Sequence, residues 1–188
     1  PRMRKQAGYF KYDTATESLK QEHQTIENAC TLNYNLLKGI PLNNESVAAI
    51  NMSHFLEHFT REDGIKILKE CLRVLKPGGF VRISCPDLEK YAEAYFKKDT
   101  AYLQAPMIKK WINYDGLKSP GDLFIQKAYD GHNGHKWFYD SDSAIQVARD
   151  AGFKAGAKKR LHETGLPLKE IIQPAFREIQ SFYVEVYK

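Results

Sequence analysis

The 188-residue sequence predicts an α/β fold, and three consecutive segments carry the prediction. Residues 47–52 form a continuous apolar run, which is typical of a strand buried on both faces. Between residues 61 and 75, apolar side chains recur at three- and four-residue steps, which indicates an amphipathic helix ended by Pro77 and two glycines. Residues 80–85 return to strand character. A strand, a helix and a strand in this order normally place the two strands parallel.

The rest of the chain extends this alternation, with polar turns between the elements. Ser141 is the predicted N-cap of a helix that ends at Gly152. The last strand alternates apolar and polar side chains. The other predicted elements are strands at residues 9–12, 31–34, 153–159 and 181–187, helices at 87–96 and 101–114, and an irregular stretch at 115–139.

Length and composition indicate one globular domain over residues 1–188. No apolar run approaches the roughly 20 residues that cross a bilayer, so we expect no membrane span and a cytoplasmic location. The net charge of +5 is spread along the chain, which does not favour nucleic acid as the partner. The cysteines Cys30, Cys71 and Cys85 have no C-x-x-C spacing, so no disulfide framework or thiolate zinc site is predicted.

Three blocks of sequence follow one another at residues 37–42, 53–59 and 72–79. They read Leu-Lys-Gly-Ile-Pro-Leu, Ser-His-Phe-Leu-Glu-His-Phe and Leu-Arg-Val-Leu-Lys-Pro-Gly-Gly. Together they resemble the type 11 branch of the class I S-adenosylmethionine-dependent methyltransferases, and the last block is the most specific. Weaker likeness extends to residues 134–140, 151–153 and 181–185.

The resemblance implies a Rossmann-like, mostly parallel twisted sheet with helices on both faces and an antiparallel C-terminal edge strand. It also implies S-adenosylmethionine as cofactor, bound across the carboxyl ends of the strands. The family's glycine-rich G-x-G loop has no counterpart in residues 1–188. We therefore expect the first strand and its loop to lie upstream of Pro1. The rival interpretation is a natural start at Pro1 and a lost cofactor-binding element.

The resemblance assigns cofactor-binding roles to residues at successive strand ends. Asp13 matches the acidic residue that binds the ribose hydroxyls, and Asn35 with Leu36 matches the pair near adenine, although an amide replaces the usual carboxylate. Ser53 and His54 follow the strand at residues 47–52, where the methyl-bearing end should lie. Asp13 and Asn35 have an alternative interpretation as ordinary turn-forming residues.

Residues 111–139 match the family's variable region and are predicted to be a substrate lid. Within it, His132 and His135 are candidate general bases, because histidine exchanges protons near neutrality. The alternative is that the lid's aromatic side chains only pack on the sheet. The candidate substrate-contacting residues are Trp111, Tyr114, Trp137 and Tyr139.

His54, Glu57 and His58 also spell H-x-x-E-H, a zinc motif of one protease class. The surrounding methyltransferase-like blocks do not favour that interpretation, so we predict no metal site. The expected function is methyl transfer to a small molecule whose identity is open. The alternative is a non-catalytic methyltransferase-like binding or scaffold protein.

Overall fold

A computed structural model describes residues 34–105, 116, 119–129, 134–166 and 175–188. Four strands of this part of the chain form one sheet: β1 (Val47–Ser53), β2 (Leu75–Pro86), β3 (Ala155–Lys158) and β4 (Ser181–Tyr187). The described helices are α1 (Arg61–Val74), α2 (Leu88–Phe96), α3 (Thr100–Leu103), α4 (Pro120–Tyr129) and α5 (Ser141–Asp150). Short 3-10 turns span Leu36–Lys38, Leu56–His58 and Ala175–Ile179.

The described sheet has the order β1-β2-β4-β3. β1 and β2 are parallel, with Met52 opposite Ile83, whereas β4 is antiparallel to both β2 and β3. β1, β2 and β3 therefore run in one direction and β4 alone runs against them. The predicted α/β fold, its mostly parallel sheet and its antiparallel C-terminal strand are confirmed. Within the described sheet, β3 lies outside β4.

Helix α1 forms where the apolar period predicted it. The hydroxyl of Thr60 accepts a hydrogen bond from the Asp63 backbone N–H and caps its first turn. Leu68 is fully buried. The predicted C-terminal boundary is wrong by one residue, because Leu75 has extended backbone angles and starts β2. The helix therefore leads into the next strand without an intervening loop.

Two further predictions need correction. The N-cap of α5 is Asp140 and not Ser141, since the Asp140 carboxylate accepts from Ser143 N–H while Ser143 Oγ accepts from Asp140 N–H. The stretch at 115–139 was predicted irregular, yet it contains α4, whose Leu123 is fully buried. Gly152 follows α5 with a φ of +108°, as a C-terminal glycine should.

Other predicted elements are described only in part. The predicted helix at 101–114 is helical over Thr100–Leu103, and its continuation from residue 106 is outside the described residues. The predicted strand at 9–12 lies outside them too, as does most of the one at 31–34.

One face of the sheet is the apolar core. Val81, Ile83 and Cys85 of β2 are fully buried and pack in one cluster with side chains of α1 and α5. Val184 and Val186 of β4 belong to the same cluster. Because alternate strand residues point to opposite faces, the residues between these face the other side of the sheet.

That second face carries a buried ion pair. Arg82 on β2 and Glu185 on β4 are each 2% exposed, and Arg82 Nη1 lies 3.6 Å from Glu185 Oε1. The guanidinium also donates to three backbone carbonyls, those of Arg160, Leu161 and Glu163, at 2.6–3.1 Å. Arg82 therefore holds the segment after β3 against the sheet.

Replacing Arg82 tests this arrangement. We expect Arg82→Met to lower the free energy of unfolding by about 3–5 kcal/mol, because Glu185 is left buried without its counter-charge. Arg149→Met, at an exposed site on α5, is the matched control and should change it by less than about 0.5 kcal/mol. Urea unfolding followed by circular dichroism measures both. Equal effects would contradict the assigned role of Arg82.

Candidate functional site

The chain turns sharply at the carboxyl end of β1. Ser53 is the last strand residue, and His54 has a φ of +47°, in the left-handed region that non-glycine residues rarely adopt. The backbone N–H of His54 still donates to Ser84 O at 2.8 Å, so the turn begins while the chain is held to β2. The imidazole of His54 is thereby placed at the edge where β1 and β2 end.

The His54 ring connects two separate segments. Its Nε2 lies 3.0 Å from Ser181 Oγ at the start of β4, and its Nδ1 lies 3.3 Å from Glu57 Oε1. The imidazole therefore joins the turn after β1 to the antiparallel strand.

Glu57 lies in the 3-10 turn Leu56–His58 and is completely buried. Neither carboxylate oxygen has a hydrogen bond of normal geometry among the described residues, since His54 Nδ1 is close but not aligned. The Glu57 backbone carbonyl, in contrast, accepts from Lys136 N at 2.8 Å and Trp137 N at 3.2 Å. These two bonds fix the position of the turn against residues 134–137.

Two further imidazoles approach the same carboxylate. The rings of His58 and His135 have centroids 5.1 Å apart. The potential ligand atoms of Glu57, His58 and His135 all lie within 4.8 Å of one another. His135 is buried, and its Nδ1 lies 3.3 Å from the carbonyl oxygen of Lys127 on α4. A carboxylate and two imidazoles therefore converge beside His54.

Burial and charge determine the ionisation of this group. Burial lowers the pKa of His54 to about 4, against the opposing effect of Glu57, so the ring is neutral at pH 7. Burial alone would raise the pKa of Glu57, but the contact with His54 and the charges of the surrounding imidazoles outweigh it and lower that pKa to about 2. Glu57 is therefore an anion at every physiological pH.

A cleft of about 230 Å³ opens along the same edge of the sheet. Its lining includes Asp87 after β2, Lys158 at the end of β3, and Ser181. Lys90 Nζ donates to the carbonyl of Ser181 at 2.8 Å. A larger cavity of about 610 Å³ shares Arg160, Leu161 and Glu178 with this cleft and is also lined by His162 and Glu163. The smaller cleft is the one adjoining His54, through Ser181.

The predicted cofactor residues have different surroundings. Ser53 and His54 lie together at the end of β1, as predicted from the sequence. Asn35 caps the turn Leu36–Lys38, where its Oδ1 accepts from Leu37 N at 3.0 Å. This bond is the turn-forming role that the sequence left open. Leu36 packs against the core, and Asp13 lies outside the described residues.

The predicted lid residues differ in their exposure to solvent. Trp137 is 43% exposed, next to the Glu57 turn, and remains available to a ligand. Tyr139 is fully buried, and its hydroxyl would lie 3.2 Å from a Cβ on Gly64 of α1. The ring of Tyr139 therefore fills the core, and its predicted contact with the substrate stays a prediction. The remaining lid candidates Trp111, Tyr114 and His132 lie outside the described residues.

The geometry does not support the H-x-x-E-H protease interpretation. The turn Leu56–His58 is three residues of 3-10 helix, so His54 and His58 do not share the face of an α-helix. His54 contacts Ser181, while the ring of His58 packs against that of His135 at an interplanar angle of 57°. No sequence pattern pairs His58 with His135, because 77 positions of chain separate them and only the folded structure brings the two rings together.

Residues 3–83 match the family model of the methyltransferase domain. This segment is similar to the methyltransferase-domain family. It includes every predicted cofactor-binding residue and ends within β2. The methyltransferase resemblance, which rested on three short blocks, is thereby confirmed.

Solved structures share the methyltransferase fold at low sequence identity. The complex between a methyltransferase activator of Haloferax volcanii and a methyltransferase matches with a TM-score of 0.51 and 14% identity, covering 87% of this chain and 63% of that one. The apo S-adenosylmethionine-dependent methyltransferase SibL matches with a TM-score of 0.50 and 11% identity, covering 86% and 36%. A methyltransferase from Thermotoga maritima, 17% identical, has a TM-score of 0.45 and coverages of 85% and 63%.

The chain thus spans 63% of the length of the Haloferax and Thermotoga structures. No curated protein matches it in sequence. No helix in the described ranges is long and apolar enough to cross a membrane.

The backbone at His54 yields a prediction about stability. Asparagine tolerates the left-handed region, whereas a β-branched residue there costs roughly 1–2 kcal/mol. We therefore expect His54→Val to lower the free energy of unfolding by about 1–2 kcal/mol more than His54→Asn. Parallel urea titrations of the two variants measure the difference. Equal losses would show that the turn does not require this conformation.

Proposed function

We propose that this chain transfers a methyl group from S-adenosylmethionine to a small-molecule acceptor. The methyltransferase-family match over residues 3–83 carries the proposal, because it contains Asp13, Asn35, Ser53 and His54 together. The position of Ser53 and His54 supports it. They lie at the carboxyl end of β1, and open α/β sheets bind ligands at the carboxyl ends of their strands.

In this proposal the cofactor contacts successive strand ends. Asp13 accepts hydrogen bonds from both ribose hydroxyls, for which a carboxylate has enough lone pairs. Asn35 and Leu36 lie near adenine; the capping bond uses one lone pair of Asn35 Oδ1 and leaves the second for the adenine amino group. Ser53 and His54 border the methyl-bearing end.

Methyl transfer requires mainly that the protein orient the acceptor relative to the cofactor. The sulfonium charge already activates the methyl group, so the protein must align an acceptor atom in line with it and, for an oxygen or nitrogen acceptor, remove a proton. Residues 111–139 are the proposed lid over the acceptor, with Trp111, Tyr114 and Trp137 as contacts. His132 and His135 are the candidate bases within this lid.

A small molecule is the proposed acceptor because of the size of the adjoining cleft. A volume of about 230 Å³ suits a compact ligand. Its cationic side chains are partly neutralised: Lys158 pairs with Asp142 at 2.9 Å and Lys159 with Glu163 at 3.2 Å. A nucleic acid would instead need a continuous basic surface.

Asn35 is the observation that favours the alternative, a scaffold protein without cofactor. An amide replaces the family's carboxylate at this position, and it has a structural role as the cap of the turn Leu36–Lys38. The same substitution would be neutral in a protein that no longer binds the cofactor.

Binding of S-adenosylhomocysteine to the complete gene product distinguishes the two functions. We expect calorimetry to give micromolar affinity, and Asp13→Asn to weaken it at least about tenfold, since hydrogen bonds to a charged group contribute about 1.5–3 kcal/mol. Asp150→Asn, at an exposed site at the end of α5 and outside the proposed lid, is the matched control and should leave affinity unchanged. No binding by a protein that unfolds cooperatively would favour the scaffold.

A further inference from the structure

The cluster of Glu57, His58 and His135 has no role in the proposed cofactor site. We propose that these three side chains bind one divalent first-row metal ion, of which Zn²⁺ is the natural probe. Their potential ligand atoms lie within 4.8 Å of one another, and two imidazoles with one carboxylate are a ligand set known for such ions.

The cluster is compact enough for side-chain motion to close it around one ion. Nitrogen and oxygen ligands lie about 2.0–2.2 Å from zinc, so two ligands of one tetrahedral ion are about 3.3–3.6 Å apart. The potential ligand atoms of the cluster lie within 4.8 Å of one another, so no pair exceeds the tetrahedral spacing by more than about 1.5 Å. Rotations about the side-chain torsions can supply a movement of this size.

The Glu57 carboxylate is an independent indication of a cation. It is completely buried, and neither oxygen has an aligned hydrogen bond among the described residues. A buried carboxylate without hydrogen bonds is costly unless it pairs with a charge or a metal. His54 Nδ1 lies 3.3 Å from Glu57 Oε1, but the other nitrogen of the His54 ring contacts Ser181, so we do not propose His54 as a ligand.

His135 has the second contact that metal-binding histidines usually show. Its Nδ1 lies 3.3 Å from the Lys127 carbonyl oxygen, a contact that favours the tautomer with the proton on Nδ1 and with Nε2 as the atom that would bind a metal. The turn that carries Glu57 and His58 is held in turn by the amides of Lys136 and Trp137. Residues 135–137 therefore supply the ligand His135 and also hold the turn that carries Glu57 and His58.

The ligand types select the ion. Imidazole nitrogen favours zinc, iron, nickel or copper over magnesium and calcium, which prefer oxygen ligands. Three protein ligands would leave one position of a tetrahedral ion open to water or another small ligand. His58 is only partly buried, so the cluster can be reached from solvent.

This inference changes two expectations from the sequence. The sequence predicted no metal site, and its zinc-motif alternative used His54 and His58 as ligands with Glu57 as base. The proposed site retains His58, turns Glu57 into a ligand and replaces His54 by His135. A metal on His135 Nε2 would occupy the lone pair needed for proton abstraction, so His135 would no longer be available as the general base.

Zinc titration of the untagged, metal-free protein tests the proposal without S-adenosylmethionine. We expect one Zn²⁺ per chain in competition with a chromophoric chelator, and at least about tenfold weaker binding for Glu57→Gln and for His135→Gln. Exposed His162 provides the matched control, and His162→Gln should bind like the unchanged protein. Co²⁺ spectra of the same proteins report the coordination directly.

Circular dichroism and cooperative unfolding establish that each variant is folded, and the nearly isosteric Glu57→Gln provides a test if His135→Gln does not fold. Absence of stoichiometric zinc in the folded, unchanged protein would overturn the proposal. So would full affinity in Glu57→Gln, or a loss in His162→Gln as large as in the cluster variants. These outcomes do not depend on whether the protein binds S-adenosylhomocysteine.

Discussion

The turn after β1 is the constraint on which the candidate site depends. His54 adopts a left-handed backbone conformation, and the chain then folds Glu57 into the interior within three residues. The two ring nitrogens of His54 contact Ser181 and Glu57. The backbone carbonyl of Glu57 accepts hydrogen bonds from the amides of Lys136 and Trp137 in the lid segment. One short turn therefore positions the end of β1, the start of β4 and His135 relative to one another.

The sequence predicted the α/β frame because its elements have strong local signals. The apolar run of β1 and the period of α1 each match one secondary structure, and Gly152 ends α5 as its position indicated. Helix boundaries were harder to predict where two neighbouring residues are both suitable caps. Asp140 and Ser141 are both good caps, and only the bonds with Ser143 decide between them.

The site was harder to predict than the frame because it depends on contacts between distant segments. Ser53 and His54 could be placed from the end of a strand alone. Tyr139 has the aromatic ring and hydroxyl that often line a ligand pocket, but packing against α1 buries it completely. The approach of His135 to Glu57 depends on α4 and on two backbone hydrogen bonds, and no sequence pattern carries that information.

The most direct test of the account is a crystal structure of the complete gene product with S-adenosylhomocysteine. The ligand should lie across the carboxyl end of β1, with its sulfur beside Ser53 and His54 and its adenine near Asn35. A ligand bound against His162 and Glu163, which line the larger cavity but not the cleft, or bound elsewhere away from the end of β1, would contradict the assignment of this edge as the cofactor site.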